Sequence, residues 1–260
     1  LDSDAFFNYK NMDGVIIVTI AKTHTNLIKK AFMNNLKVFV EKPYTLSLKD
    51  CEMLNKMENN NKLMVGHTYL FNSKIDYIKD YLMENINNVK SISFEWTCYG
   101  PIRTDTTPIF DLAVHPISIL YYLFPNKKVS QLSSIKSSSG HTYFVSFKFD
   151  EVLVNMNISW SSPGKTRKMI INDDNVKIIF DDVSNTEPVK ILYVNNPTFN
   201  ESYENMIFKD GNTILPQIKN CEPLGDQLNH WMDVCEGKYD CISNKEFSTN
   251  VVRLAEKLSI

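Results

Sequence analysis

Val15-Ile16-Ile17-Val18-Thr19-Ile20-Ala21 is a continuous, largely β-branched apolar run, the mark of a strand covered on both faces and so of a central parallel strand. Working outward, Thr23 to Asn35 carries Leu27, Ile28, Ala31 and Phe32 at helical spacing and ends on Asn34-Asn35, a C-cap pair. Lys37 to Glu41 predicts a second strand. Ser47 to Asn59 predicts a helix capped by Ser47, with Leu48, Cys51, Leu54 and Met57 on one face. Leu63 to Gly66 predicts a third strand. Strands alternating with helices through short connections are the grammar of a doubly wound parallel sheet, whose ligands sit at the carboxyl ends of the strands. Thr23-His24, Lys42 and His67 all fall at such ends.

Beyond a linking helix at Lys74 to Glu84, the apolar period changes to two. Ser91 to Trp96, Tyr143 to Phe149 and Val152 to Trp160 alternate apolar and polar residues, and Arg167 to Ile171, Val176 to Phe180 and Val189 to Val194 continue the pattern. Alternation of this kind marks an antiparallel sheet packed on one side. Asp150-Glu151 and Asp173-Asp174-Asn175 supply hairpin turns. Helices are predicted at Ile117 to Phe124, Gly225 to Glu236 and Lys245 to Leu258. The fold class is therefore α/β plus α+β: an incomplete Rossmann-like parallel sheet over 1–70, then a mostly antiparallel open-sheet domain with flanking helices over 71–260. The C-terminal helices, 225–258, are free to pack back on the first domain.

Composition narrows the function. A chain of 260 residues, 43% apolar and with a formal charge of −2, buries a sizeable core and offers no electrostatic footprint for nucleic acid. The five cysteines, Cys51, Cys98, Cys221, Cys235 and Cys241, are odd in number and lack Cys-x-x-Cys spacing, which argues against a disulfide framework or a zinc site and for a reducing, cytoplasmic setting. No apolar run approaches the roughly 20 residues of a membrane span. The start at Leu1-Asp2-Ser3-Asp4 does not read as a signal peptide.

Two short segments carry the chemistry. Val38-Phe39-Val40-Glu41-Lys42-Pro43 ends a strand on a lysine, and Asp111-Leu112-Ala113-Val114-His115 sets a carboxylate four positions before an imidazole. Together they provide a proton donor or acceptor, an orienting acid and a fixed cation, a set suited to moving a proton on and off a sugar hydroxyl. Pro116 disfavours helical geometry at His115, so the helix is expected to begin there with Asp111 to His115 in its entry turn. No paired carboxylates at glycosidase spacing appear, and no Gly-x-Gly-x-x-Gly occurs in the chain.

In order, Asp13 to Ile20 with His24, Glu41-Lys42-Pro43, Gly66 to Asn72, Gly100 to Asp105, Asp111 to Pro116, and Trp160 to Arg167 with Asp181-Asp182 resemble the Gfo/Idh/MocA family of NAD(P)-dependent oxidoreductases, in its branch acting on nucleotide-linked sugars in surface-polysaccharide pathways. The resemblance implies NAD or NADP as cofactor, with Thr19, Ile20, Ala21, His24, Glu41 and Lys42 on its nicotinamide side. It implies His115 as the base that takes the hydroxyl proton, Asp111 as the acid that orients it, and Lys42 as donor to the same oxygen. Arg103 is either a ligand for a substrate diphosphate or carboxylate or a surface ion pair. Tyr69 and Asn72 either line the cleft or serve packing and capping. The resemblance also implies a homodimer or homotetramer formed through the open sheet. The family's strand, glycine-rich turn, helix and second strand would precede residue 13 and are not in this sequence, which argues against cofactor binding by these 260 residues. The alternative reading is a non-catalytic sugar-nucleotide binding or dimer-forming scaffold.

Overall fold

The computed structural model describes residues 6–7, 11–57, 63–86, 88–195, 198–200, 205–207 and 210–259. The chain forms two compact units. The first is built from the chain up to Ile75, from Pro101–Asn126 and from Asn220 onward; the second from Asp76–Gly100 and Lys127–Lys219.

The first unit holds three parallel strands, β1 (Gly14–Ile17), β2 (Lys37–Glu41) and β3 (Leu63–Gly66), in the order β1-β2-β3. Helix α1 (His24–Met33) joins the first pair and α2 (Leu48–Met57) follows β2. Asn35, at φ 57°, takes the left-handed step after α1, and Ser47 Oγ accepts from Asp50 N at 3.1 Å at the start of α2, as the capping residues predict. The first strand departs from expectation. It ends at Ile17 rather than Ala21; its open edge among the described residues, with Ile16 and Val18 48% and 68% exposed, is what is expected where the neighbouring strand of the family is not in this sequence. An apolar run reports affinity for a covered position; the presence of a neighbour on each side is a tertiary matter.

The far edge of β3 is closed by a loop: Val65 N donates to Ser243 O at 3.1 Å, and Ser243 Oγ to Val65 O at 2.7 Å. That loop leads into α6 (Lys245–Leu258), whose cap Asn244 accepts from the amides of Glu246 and Phe247. Helix α6 packs on α2, β3 and α4 (Val114–Leu123). Helix α5 (Pro223–Cys235) lays Trp231 on Phe39 at a ring separation of 5.9 Å, over Met64 and Cys241.

Immediately before α4, Ile109–Ala113 forms a π-helical turn. Pro116 predicts a helix start, with Asp111 to His115 in the entry turn; the helical path instead runs continuously from Ile109 through Asp111 into α4, with Pro116 inside it.

Helix α3 (Ser73–Asn85) leads into the second unit, whose eight-stranded sheet has the order β13-β10-β9-β8-β4-β7-β6-β5. Here β4 is Ser91–Tyr99, β5 Val129–Lys136, β6 Thr142–Phe149, β7 Val152–Ser159, β8 Ser161–Asn172, β9 Val176–Asp181, β10 Val189–Val194 and β13 Asp210–Ile214. A separate pair, β11 (Thr198–Asn200) and β12 (Asn205–Ile207), completes the strands. All neighbours in the large sheet are antiparallel except β4 and β7, which run parallel. Alternation holds where it was read: in β7, Val152, Val154, Met156 and Ile158 are buried while Leu153 is exposed. The pattern could not show β5, an edge strand of mixed polarity with an irregular register between Ser130 and Ser133. At the centre, Trp96 of β4 is fully buried, and the Arg167 guanidinium lies 5.7 Å from its ring while Nη1 donates to Thr97 O at 2.8 Å.

Candidate active site

At the carboxyl ends of β1 and β2, within the first unit, a cavity of about 170 Å³ is lined by Val18, Thr19, Ala21, Glu41, Lys42, Pro43, Arg103, Thr106, Phe110 and Asp111. This is smaller than the about 300–1,000 Å³ of a typical whole-ligand site. Its centre is the lysine. Lys42 Nζ donates to the Asp111 carbonyl at 2.7 Å and to Asp111 Oδ1 at 3.1 Å, with both side chains less than one-fifth exposed. Lys42 directly follows the end of β2 at Glu41. The widened turn carries Asp111, and Pro116 has no amide to give to the carbonyls one turn behind it. An ammonium has three N–H donors, so two on Asp111 leave a third for a ligand.

Glu41 sits over Gly66, where any Cβ would come within 3.1 Å of Glu41 Oε1. Burial raises its pKa above the ordinary carboxyl value, opposed by the Lys42 amide, which donates to Oε2 at 3.3 Å, and by the Lys42 charge. Arg103 makes a bidentate pair with Asp105, Nε to Oδ1 at 3.1 Å and Nη2 to Oδ2 at 2.9 Å; its Nη1 lies 3.7 Å from Asp111 Oδ1. The pair holds the Asp105 carboxyl below its usual range and raises the Arg103 pKa.

The remaining sequence-derived candidates are placed as follows. His24 is buried, with Nδ1 2.8 Å from Pro43 O and Nε2 3.1 Å from Thr19 O, so its ring staples the turn after β1 to the one after β2. Ile20 accepts from Thr23 N and Thr23 Oγ1 and is 44% exposed. The His115 ring meets the edge of Tyr69 at 5.3 Å. Asn72 Oδ1 accepts from Lys74 N at 2.9 Å and so caps α3. The structure thus gathers Thr19, Ala21, Glu41, Lys42, Arg103 and Asp111 around one cavity and sets Tyr69 on His115. Val18, Pro43, Thr106 and Phe110 join the lining without having been singled out from sequence, and Asp105, two residues after Arg103, was the readable signal for an ion pair.

His67, at the end of β3, is fully buried, and neither ring nitrogen has a hydrogen-bond partner among the described residues. Burial, with the Lys42 charge adding, lowers its pKa to about 3. The unfolded chain binds a proton here near pH 6.5, so between that value and about 3 it holds one proton more than the folded chain, and stability falls as pH drops through the window. His67→Phe is expected to remove up to about 1.4 kcal/mol per pH unit of that acid sensitivity. Urea unfolding of both proteins between pH 7 and 4 checks this; parallel pH dependences would refute it.

In a parallel α/β sheet, a polar cavity at the carboxyl ends of the strands lies where such sheets bind their ligands. Residues 2–69 match the profile of the Gfo/Idh/MocA oxidoreductase family, its NAD-binding Rossmann fold. Solved structures share the fold across nearly the whole chain. UDP-N-acetylglucosamine 3-dehydrogenase from Acidithiobacillus ferrooxidans superposes with a TM-score of 0.80 at 16% identity, over 99% of this chain and 80% of that one. An inositol dehydrogenase homologue from Azotobacter vinelandii, complexed with NADH and myo-inositol, gives 0.77 at 13% identity, over 99% and 78%. A 3-ketoreductase from Actinomadura kijaniata, in complex with TDP-benzene and NADP, gives 0.77 at 13%, over 97% and 78%. No curated protein matches the sequence significantly.

Proposed function

We propose that the protein is an NAD(P)-dependent oxidoreductase acting on a ring hydroxyl of a sugar, with a nucleotide-linked sugar of polysaccharide biosynthesis as the favoured substrate. The observation that carries this reading is the Lys42 ammonium, fixed on both the carbonyl and the carboxylate of Asp111 in a cavity at the strand ends. Hydride leaves a carbinol carbon only if the hydroxyl proton leaves too. In this reading the third N–H of Lys42 holds the substrate oxygen and favours its alkoxide character, and His115, packed on Tyr69, takes the proton. Asp111 acts first on Lys42, a partner that spacing alone did not suggest.

For the cofactor, Thr19, Ala21, Glu41 and Lys42 offer a hydroxyl, a small apolar wall, a carboxyl and a cation within one lining, which fits the nicotinamide end. Bound there, NAD(P) would supply the hydride acceptor or donor. The UDP-N-acetylglucosamine 3-dehydrogenase and the inositol dehydrogenase homologue among the structural neighbours support a polyhydroxylated ring as the substrate class.

The five cysteines are free thiols, and no helix among the described residues is long and apolar enough to cross a membrane; free thiols support a cytoplasmic setting. Ile135 and Phe144, directly paired on β5 and β6, are 69% and 59% exposed and support a homodimer or homotetramer through the open sheet, which light scattering checks. The functional test is fluorescence titration with NADH and NADPH, followed by assay of cofactor reduction with UDP- and TDP-sugars and free cyclitols. Cofactor binding with turnover of one such substrate is expected. Binding of a nucleotide sugar with neither cofactor binding nor turnover would replace this reading by the scaffold one.

A further inference from the structure

The cavity beside Lys42 sets its charges against one another. Arg103 gives its side-on edge to Asp105 in two bonds, and its free terminal nitrogen, Nη1, faces Asp111 Oδ1 at 3.7 Å, the same oxygen that Lys42 takes at 3.1 Å. Two cations are thus matched by two carboxylates, and Glu41 adds a further carboxyl to the lining. A guanidinium already forked onto a carboxylate has no second matched fork of that edge for a phosphate or carboxylate. An entering anion would also meet the Asp105 and Asp111 charges at close range.

Hydroxyl-binding capacity is present in the same wall. Thr106 Oγ1 is buried with no hydrogen-bond partner among the described residues and Lys42 has a third N–H, while the Thr19 hydroxyl, already bonded to Thr23 Oγ1 at 2.6 Å, keeps a remaining lone pair. An uncharged polyhydroxy group satisfies these at no electrostatic cost.

We propose that Asp105 is a specificity-determining residue that, by occupying the Arg103 fork, makes this cavity accept the neutral, hydroxyl-bearing ring of its ligand and turn away anionic groups. The proposal rests on the oxidoreductase reading for the cavity being the substrate site, and deepens it. A substrate diphosphate is bound outside this lining, and Arg103 becomes an anion ligand only when Asp105 is neutralised.

The test titrates the full chain with inorganic phosphate at fixed ionic strength, observing the Arg103 Nε–H resonance by NMR. Wild type is expected to show no saturable shift. Asp105→Asn and Asp105→Ala are expected to bind phosphate at least about tenfold more tightly, and adding Arg103→Met is expected to abolish the gain. Two variants guard against a folding defect in either. Phosphate binding by wild type as tight as by Asp105→Asn, or a gain that survives Arg103→Met, would overturn the proposal. A second arm compares methyl glucoside with glucose 6-phosphate, whose affinity ratio should move at least about tenfold toward the phosphate in Asp105→Asn. If neither sugar binds while the phosphate response is as expected, the sugar reading falls and the role of Asp105 stands.

Discussion

Lys42→Met is expected to lower kcat by about 10²–10³-fold, the effect of deleting one donor aimed at a developing oxyanion, with a smaller change in KM. Methionine keeps the length and the apolar stem but removes all three N–H groups, so the Asp111 carbonyl and Oδ1 lose a partner at 2.7 and 3.1 Å together. The loss should fall on the chemical step, because the third N–H contributes most when the substrate oxygen carries charge. Lys42→Arg is expected to recover little, since a planar fork cannot place one donor on a carbonyl, one on a carboxylate and a third into the cavity as a tetrahedral ammonium does. Steady-state kinetics with the substrate found in the cofactor-reduction assay decide the point. A kcat within about threefold of wild type would remove Lys42 from the reaction.

The largest expected effect on stability lies in the second unit. Trp96→Ala should destabilise it by about 3–5 kcal/mol, the range for truncating a fully buried aromatic residue. Trp96 has no exposed surface and lies on β4, which pairs with β8 on one side and β7 on the other, so its cavity would open where both halves of the sheet meet. The Arg167 guanidinium, 8% exposed, would lose the ring 5.7 Å beneath it and keep its bonds to Thr97 O and Thr166 O. Urea unfolding followed by circular dichroism measures the change; a loss below about 1 kcal/mol would mean that the site collapses around the deletion.

Much of the fold was legible because periodicity reports which faces are covered. Phe39, Val40 and the four residues of β3 are buried as the strand reading requires, and α6 places Val251, Leu254, Ala255 and Leu258 inward. Val15 to Ala21 is apolar except for Thr19, yet Ile16, Val18 and Ile20 are exposed, because composition records a preference for cover and cannot supply the neighbour. Pro116 suggests a helix start, but the helical path runs back through the π-helical turn to Ile109, and Pro116 lies within it without an amide to donate. The edge strand β5 escaped notice because solvent on its outer side relaxes the alternation.

The sequence by itself determined the class of the fold, the order of its elements and which residues are candidates for the site, since apolar period, caps and residue chemistry are properties of short segments. Only the tertiary structure decided which charges meet. Lys42 and Asp111 are 69 residues apart in the chain, and nothing local specifies that the ammonium takes both the carbonyl and the carboxylate of one aspartate, or that Arg103 divides its edges between Asp105 and Asp111. Those contacts arise because the end of β2 and the π-helical turn before α4 are brought together by packing. Electrostatic partnership acts over a few ångströms of space, whatever the distance along the chain.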